Sequence, residues 1–132
     1  MSLVNSGRDF LLGAAMGDED TLFEEANTYI GVGDGDTDVS ASQTDLQGNN
    51  TERIPMESGY PKRDPENEGE KNKYRFNIIA DEGVADFSWL EWGIFNDKTS
   101  GVMLNRVVQD QGTKSGEAIW ELEVDVEIVV GS

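Results

Sequence analysis

The sequence predicts a mainly β protein: an antiparallel β-sandwich or barrel with a short N-terminal helix. Three observations carry that expectation. The closing segment alternates Trp120, Leu122, Val124, Val126, Ile128 and Val130 with Glu121, Glu123, Asp125 and Glu127. That is the period of a strand with one face in the core and one in water. Further short runs rich in β-formers are separated by Gly, Asp and Asn turns, as sandwiches and barrels require. The only helical period lies near the N-terminus, where Phe10, Leu11, Ala14 and Ala15 fall on one face.

Taken in order, Ser6-Gly7-Arg8-Asp9 fits a capping box, with Ser6 as N-cap and Asp9 reaching back. A helix is expected over Gly7–Met16, closed by Gly17. Asp20–Ala26 could add one turn, with Leu22 and Phe23 inward. Thr28–Val32 reads as a strand that runs into the turn Gly31–Asp36. Ser40–Leu46 could hold another turn of helix ended by Gly48. Residues 57–73 are dense in charge and contain Pro61 and Pro65, so they are expected as an exposed loop. Tyr74, Phe76, Ile78 and Ala80 alternate as a strand. Phe87–Phe95 and Val102–Val108 are further strands, separated by the turn Asn96–Gly101, and Gly93 marks a bulge. Gln111–Gly116 is the last turn before Trp120. The expected core anchors are Trp89, Trp92, Phe95 and Trp120, with Leu122, Val124, Val126 and Ile128 beside them. The three tryptophans are expected in the core rather than on a sugar-binding platform.

One domain accommodates the 132 residues. The chain holds 27 acidic against 10 basic residues, with no His and no Cys. Duplex DNA and anionic membranes would repel a formal charge of −17. The commonest general base, the thiolate nucleophile and the soft metal ligands are missing. No run of about 20 apolar residues could span a membrane. Met1–Gly17 reads as structure rather than a targeting leader. The acid excess suits either a solvated surface or life in molar salt, where the screening length falls to about 3 Å.

Carboxylate chemistry remains open. Asp34, Asp36, Asp38, Ser40, Ser42 and Asp45 occupy positions 1, 3, 5, 7, 9 and 12 of a calcium-loop spacing. Val39 stands where that loop needs glycine, and Asp45 is shorter than the usual glutamate. The alternative to a calcium or other hard-cation site is a solvated acidic turn. Glu91 lies between Trp89 and Trp92. Desolvation there would favour the protonated acid that glycoside hydrolysis uses. The plainer reading is a carboxylate beside core tryptophans, bonded to backbone N–H groups. Gly31–Gly35 lacks the lysine and spacing of a phosphate loop. Asn49-Asn50-Thr51 is a formal glycosylation sequon. Arg106 and Lys114 are scarce cations that could pair with Glu91 or a neighbouring subunit.

Several phrases together resemble small structural proteins of tailed viruses. They are Tyr29-Ile30-Gly31-Val32-Gly33-Asp34, Ser40-Ala41-Ser42-Gln43-Thr44-Asp45-Leu46-Gln47-Gly48, Gly59-Tyr60-Pro61 and Phe87-Ser88-Trp89-Leu90-Glu91-Trp92-Gly93-Ile94-Phe95-Asn96. Gly101-Val102-Met103-Leu104-Asn105-Arg106, Gly112-Thr113-Lys114 and Trp120 complete the series. The resemblance runs from about Val4 to Val130. It implies a non-enzymatic virion component without cofactor, a capsid decoration or turret protein on the outer surface of the particle. A tail-fibre or tail adaptor domain is the alternative. The implied partners are other virion proteins and further copies of the chain, as a trimer or pentamer, without nucleic acid or membrane. The acidity and the charged stretch near Arg63–Lys71 depart from the common pattern and point to a virus of salt-loving archaea. A carboxylate glycosidase and a cation-binding module are the remote alternatives.

Overall fold

The computed structural model describes residues 3–63 and 71–130. Helix α1 spans Asn5–Ala15. Strands β1 (Tyr29–Gly33), β2 (Thr51–Pro55), β5 (Glu91–Phe95) and β6 (Met103–Val108) form one antiparallel sheet in the order β2-β1-β5-β6. Strands β3 (Lys62–Arg63), β4 (Lys73–Ala80) and β7 (Trp120–Glu127) form the second, in the order β3-β4-β7. The two sheets pack as a sandwich and do not close into a barrel. Ile30, Val32, Trp92, Ile94 and Leu104 from the first sheet meet Phe76, Ile78, Ala80, Leu122 and Val126 from the second. Trp89 is buried here too, its ring edge-on to Trp120 at 5.1 Å, and its indole N–H donates to the Ala85 carbonyl.

The first sheet is covered on both faces. Every residue of β5 is buried, although a sandwich strand ordinarily buries alternate residues. Ile94 and Trp92 face the second sheet. Phe95 faces the other way, into a smaller cluster with Val4, Leu46 and Met103. What covers that outer face is the long connection between β1 and β2, residues 34–50. The β5–β6 register shifts between Gly93 and Phe95, as the glycine suggested. The side chain of Asn105 fills the irregularity, its Oδ1 accepting the Ile94 N–H.

Several expectations need correction. The helix starts at Asn5 and is preceded by Val4, with no side-chain cap. Ser6 is already inside it and donates instead to the Met103 carbonyl, while Asp9 pairs with Arg8 on the surface. The reason is packing: α1 lies against β6 so closely that a Cβ on Gly7 would stand 2.7 Å from the Leu104 carbonyl carbon. Gly17 does end the helix. With φ +79° it lets its own N–H reach Ala14 and that of Asp18 reach Gly13, the Schellman pattern. Phe23 turns inward onto Phe10, but Leu22 is exposed. Ser40–Leu46 forms turns and no helix. Strand β2 was not expected. The 57–73 stretch contains β3 and the first residue of β4, with Tyr60 packed on the core; residues 64–70 lie outside the described part. The expected strand Phe87–Phe95 is ladder-paired only from Glu91 onward, apart from an isolated bridge from Ser88 to Thr113.

β7 keeps the alternation read from its sequence. Leu122 and Val126 are buried, and Trp120 and Val124 partly so. Ile128 is not a core residue: it is 52 % exposed, and Val130 is 91 % exposed. The pattern continues past Glu127, but β4 begins at Lys73, opposite Glu127, and offers no strand beyond it. Replacing Leu122 with Ala should therefore cost about 2–5 kcal/mol of unfolding free energy. Ile128→Ala should change it by less than about 0.5 kcal/mol. Urea denaturation of the two variants checks both values, and a large loss at Ile128 would place it back in the core.

Candidate functional site

The outer face of the first sheet carries a buried ion pair. Glu91 opens β5 and Arg106 lies in β6, both with their side chains fully buried. Arg106 Nε donates to Glu91 Oε1 at 2.8 Å. Glu91 Oε1 also accepts the backbone N–H of Gln47 at 2.8 Å. Its Oε2 accepts those of Gly35 at 2.9 Å and Gly48 at 2.8 Å. Arg106 Nη1 continues outward to the Thr37 carbonyl and Gln43 Oε1. Two side chains on neighbouring strands thus bind five residues of the 34–50 connection. Burying such a pair costs several kcal/mol per ion unless hydrogen bonds replace the lost water, and here they do.

The glycines follow from this geometry. Gly35 and Gly48 pass each other directly above the carboxylate. A Cβ on Gly35 would stand 2.5 Å from the Gly48 nitrogen and 2.6 Å from Glu91 Oε2. Of the two readings of Glu91, the one bonded to backbone N–H groups matches the geometry. Its four donors occupy the oxygens that an acid catalyst would turn to substrate.

Lys114 makes a second lock. Its buried ammonium donates to the Asp81 carbonyl at 2.8 Å and pairs with Asp86 at 3.0 Å, tying the 81–86 turn to the segment before β7. Arg53 of β2 lies over the Phe95 ring at 3.6 Å and donates to the Asp97 and Ser100 carbonyls.

The aspartates of the calcium-loop spacing are not brought together. Asp34 accepts from the backbone and side chain of Asn50. Asp45 accepts the Leu46 N–H and lies 3.5 Å from Arg53. Asp36 and Asp38 are exposed. Among the described residues no three carboxylates gather in a way that could hold a metal ion. The spacing misleads because residues 34–50 are drawn onto the sheet by their backbone amides instead of wrapping round a centre. Asn49 is exposed.

The outer face of the second sheet is acidic but not bare. Arg75 of β4 pairs with Asp125 at 2.9 Å and Glu123 at 3.5 Å, and Lys73 pairs with Glu127 at 3.3 Å. Asn77 donates to Glu121 and Glu123. Sequence reading placed these acids in water and missed the basic row beside them. The signal was Lys73, Arg75 and Asn77 alternating with Tyr74 and Phe76.

No family model, no curated protein and no solved structure matches this chain.

Breaking the buried pair should cost about 3–5 kcal/mol. Glu91→Leu should cost more than Arg106→Leu, because it strands three backbone donors as well as a cation. The double variant should cost about 0.5–3 kcal/mol less than the sum of the two. A urea double-mutant cycle measures this, and strict additivity would contradict the coupling.

Acid sensitivity has identified sources. The backbone amide of Asn50, then its side-chain amide, holds the Asp34 carboxyl below the ordinary carboxylate range. The backbone amides of Ser100 and then Thr99 do the same for Asp97. A carboxyl depressed in the folded state contributes stability above its unfolded pKa of about 3.9, lost as pH falls through the folded value. The denaturation midpoint should therefore drop below about pH 4. The slope there should be shallower in an Asp34→Asn/Asp97→Asn variant, as read by urea melts between pH 2 and pH 6.

Proposed function

We propose that the chain is a non-enzymatic structural protein of a tailed-virus particle, seated on the outer surface of the head as a capsid decoration or turret component. One observation carries this reading. Four of the phrases that resemble such proteins meet at a single piece of architecture. Glu91 comes from Phe87–Asn96, Arg106 from Gly101–Arg106, and Gln43, Gln47 and Gly48 from Ser40–Gly48. Gly33 of the first phrase lies beneath the same carboxylate. These residues serve to fix a loop to a sheet, which is the work of a scaffold.

The charge supports an outside position. A net charge of −17 keeps the chain off packaged nucleic acid and directs it toward solvent. Its partners would be other virion proteins and copies of itself in a closed ring. Exposed Leu12, Met16, Ile119, Val129 and Val130 offer apolar contact area for that assembly.

The test is to locate the chain in particle density and to prepare particles without it. The expected result is density on the outer head, with deleted particles that still fill and attach but lose heat resistance. Full heads that no longer attach to the host would replace this reading with a tail-fibre or tail adaptor role.

A further inference from the structure

Among the described residues, strand β7 is an edge strand with a free side. The other edges are short or covered: β3 has two residues, β2 ends at Pro55, and β6 is bridged by Leu3 and Val4. The register fixes what β7 presents. The Ile128 N–H donates to the Asn72 carbonyl, and β4 and β7 pair from Lys73–Glu127 to Ala80–Trp120. Antiparallel ladders alternate bonded and non-bonded pairs. The even residues of β7 therefore spend their N–H and C=O on β4. The N–H and C=O groups of Glu121, Glu123, Asp125 and Glu127 point to the open side. No backbone partner meets them there among the described residues.

We propose that β7 docks an extended partner segment of alternating basic and apolar residues, added antiparallel to its free side. The alternation follows from the register. Residues directly opposite the four acids would share their face, where opposite charge is favourable. The intervening residues would share the face of Trp120, Leu122, Val124 and Val126. A cavity of about 190 Å³, lined by Trp89, Gln111, Trp120, Glu121 and Leu122, opens beside the start of that edge and receives one apolar side chain. β4 is the precedent within the fold. Lys73 and Arg75 stand opposite Glu127 and Asp125, with Tyr74 between them on the other face. A second copy docked through its own β7 would set two acidic rows on one face, which is repulsive.

The test uses the full chain and a nine-residue peptide with Lys at odd and Val at even positions. An isomeric peptide of the same composition, with its lysines blocked together, is the control. Binding is read by fluorescence anisotropy, and amide hydrogen exchange locates it. The alternating peptide should bind at least about tenfold more tightly than the isomer and slow exchange at Glu121, Glu123 and Asp125. Glu121→Lys should weaken it by about fivefold or more. Glu123→Pro removes a donor that points away from β4, so it should abolish docking while the β4–β7 ladder persists. If that variant fails to fold, the peptide pair and Glu121→Lys carry the test. Equal affinity for both peptides, no binding at millimolar concentration, or self-association that buries β7 and excludes the peptide would each overturn the proposal.

Discussion

A carboxylate taken out of water must recover its lost hydrogen bonds inside the fold, and the cost of failing is several kcal/mol. Glu91 is 1 % exposed, and its recovery organises half of the molecule. Three backbone amides of the 34–50 connection and the Arg106 guanidinium converge on its two oxygens. The connection has few apolar residues with which to hold itself down; Leu46 is its one buried hydrophobic side chain. Without the carboxylate, a 17-residue link would leave the outer face of β1, β5 and β6 to solvent. With it, the sheet is covered on both sides, and Phe95 and Met103 gain a second small core.

The same economy governs five of the ten basic residues of the chain. Arg106 and Lys114 are buried at junctions between segments. Arg53 joins β2 to the 97–100 turn while covering Phe95. Lys73 and Arg75 of β4 sit beside the acidic row of β7. Cations placed at tertiary contacts leave the remaining surface strongly negative. Such a surface stays soluble and resists non-specific association, at the cost of self-repulsion that salt relieves.

The sandwich was legible wherever a strand has one wet face. Trp120–Val126 alternates cleanly and its burial follows; in β4 Phe76, Ile78 and Ala80 are buried as read, but Asn77 is buried as well. Ile128 shows the limit of that logic: its sequence pattern continues, but the partner strand has ended. β2 was hidden because it shows the core only Ile54, with Met56 just beyond, and Pro55 between them argues against a strand. The clamp left traces that went unread. Gly31 and Gly33 alternate with Ile30 and Val32, so beyond Tyr29 one face of β1 carries no side chains. That is the mark of something passing close over the sheet. Glu91 and Arg106, scarce in an apolar context, were seen as possible partners. Which backbone amides would complete the site depends on how the 34–50 connection folds back, and contacts of 44 and 56 residues in separation leave no local pattern.

Native-state hydrogen exchange tests the central claim most directly. The amides of Gly35, Gln47 and Gly48 lie in a connection without helix or strand, where exchange is ordinarily fast. If the Glu91 carboxylate holds them as described, they should exchange about as slowly as Ile94 and Leu122, through global unfolding. Exchange as fast as that of Asp36 or Asp38 would show that the loop opens freely, and would contradict the account.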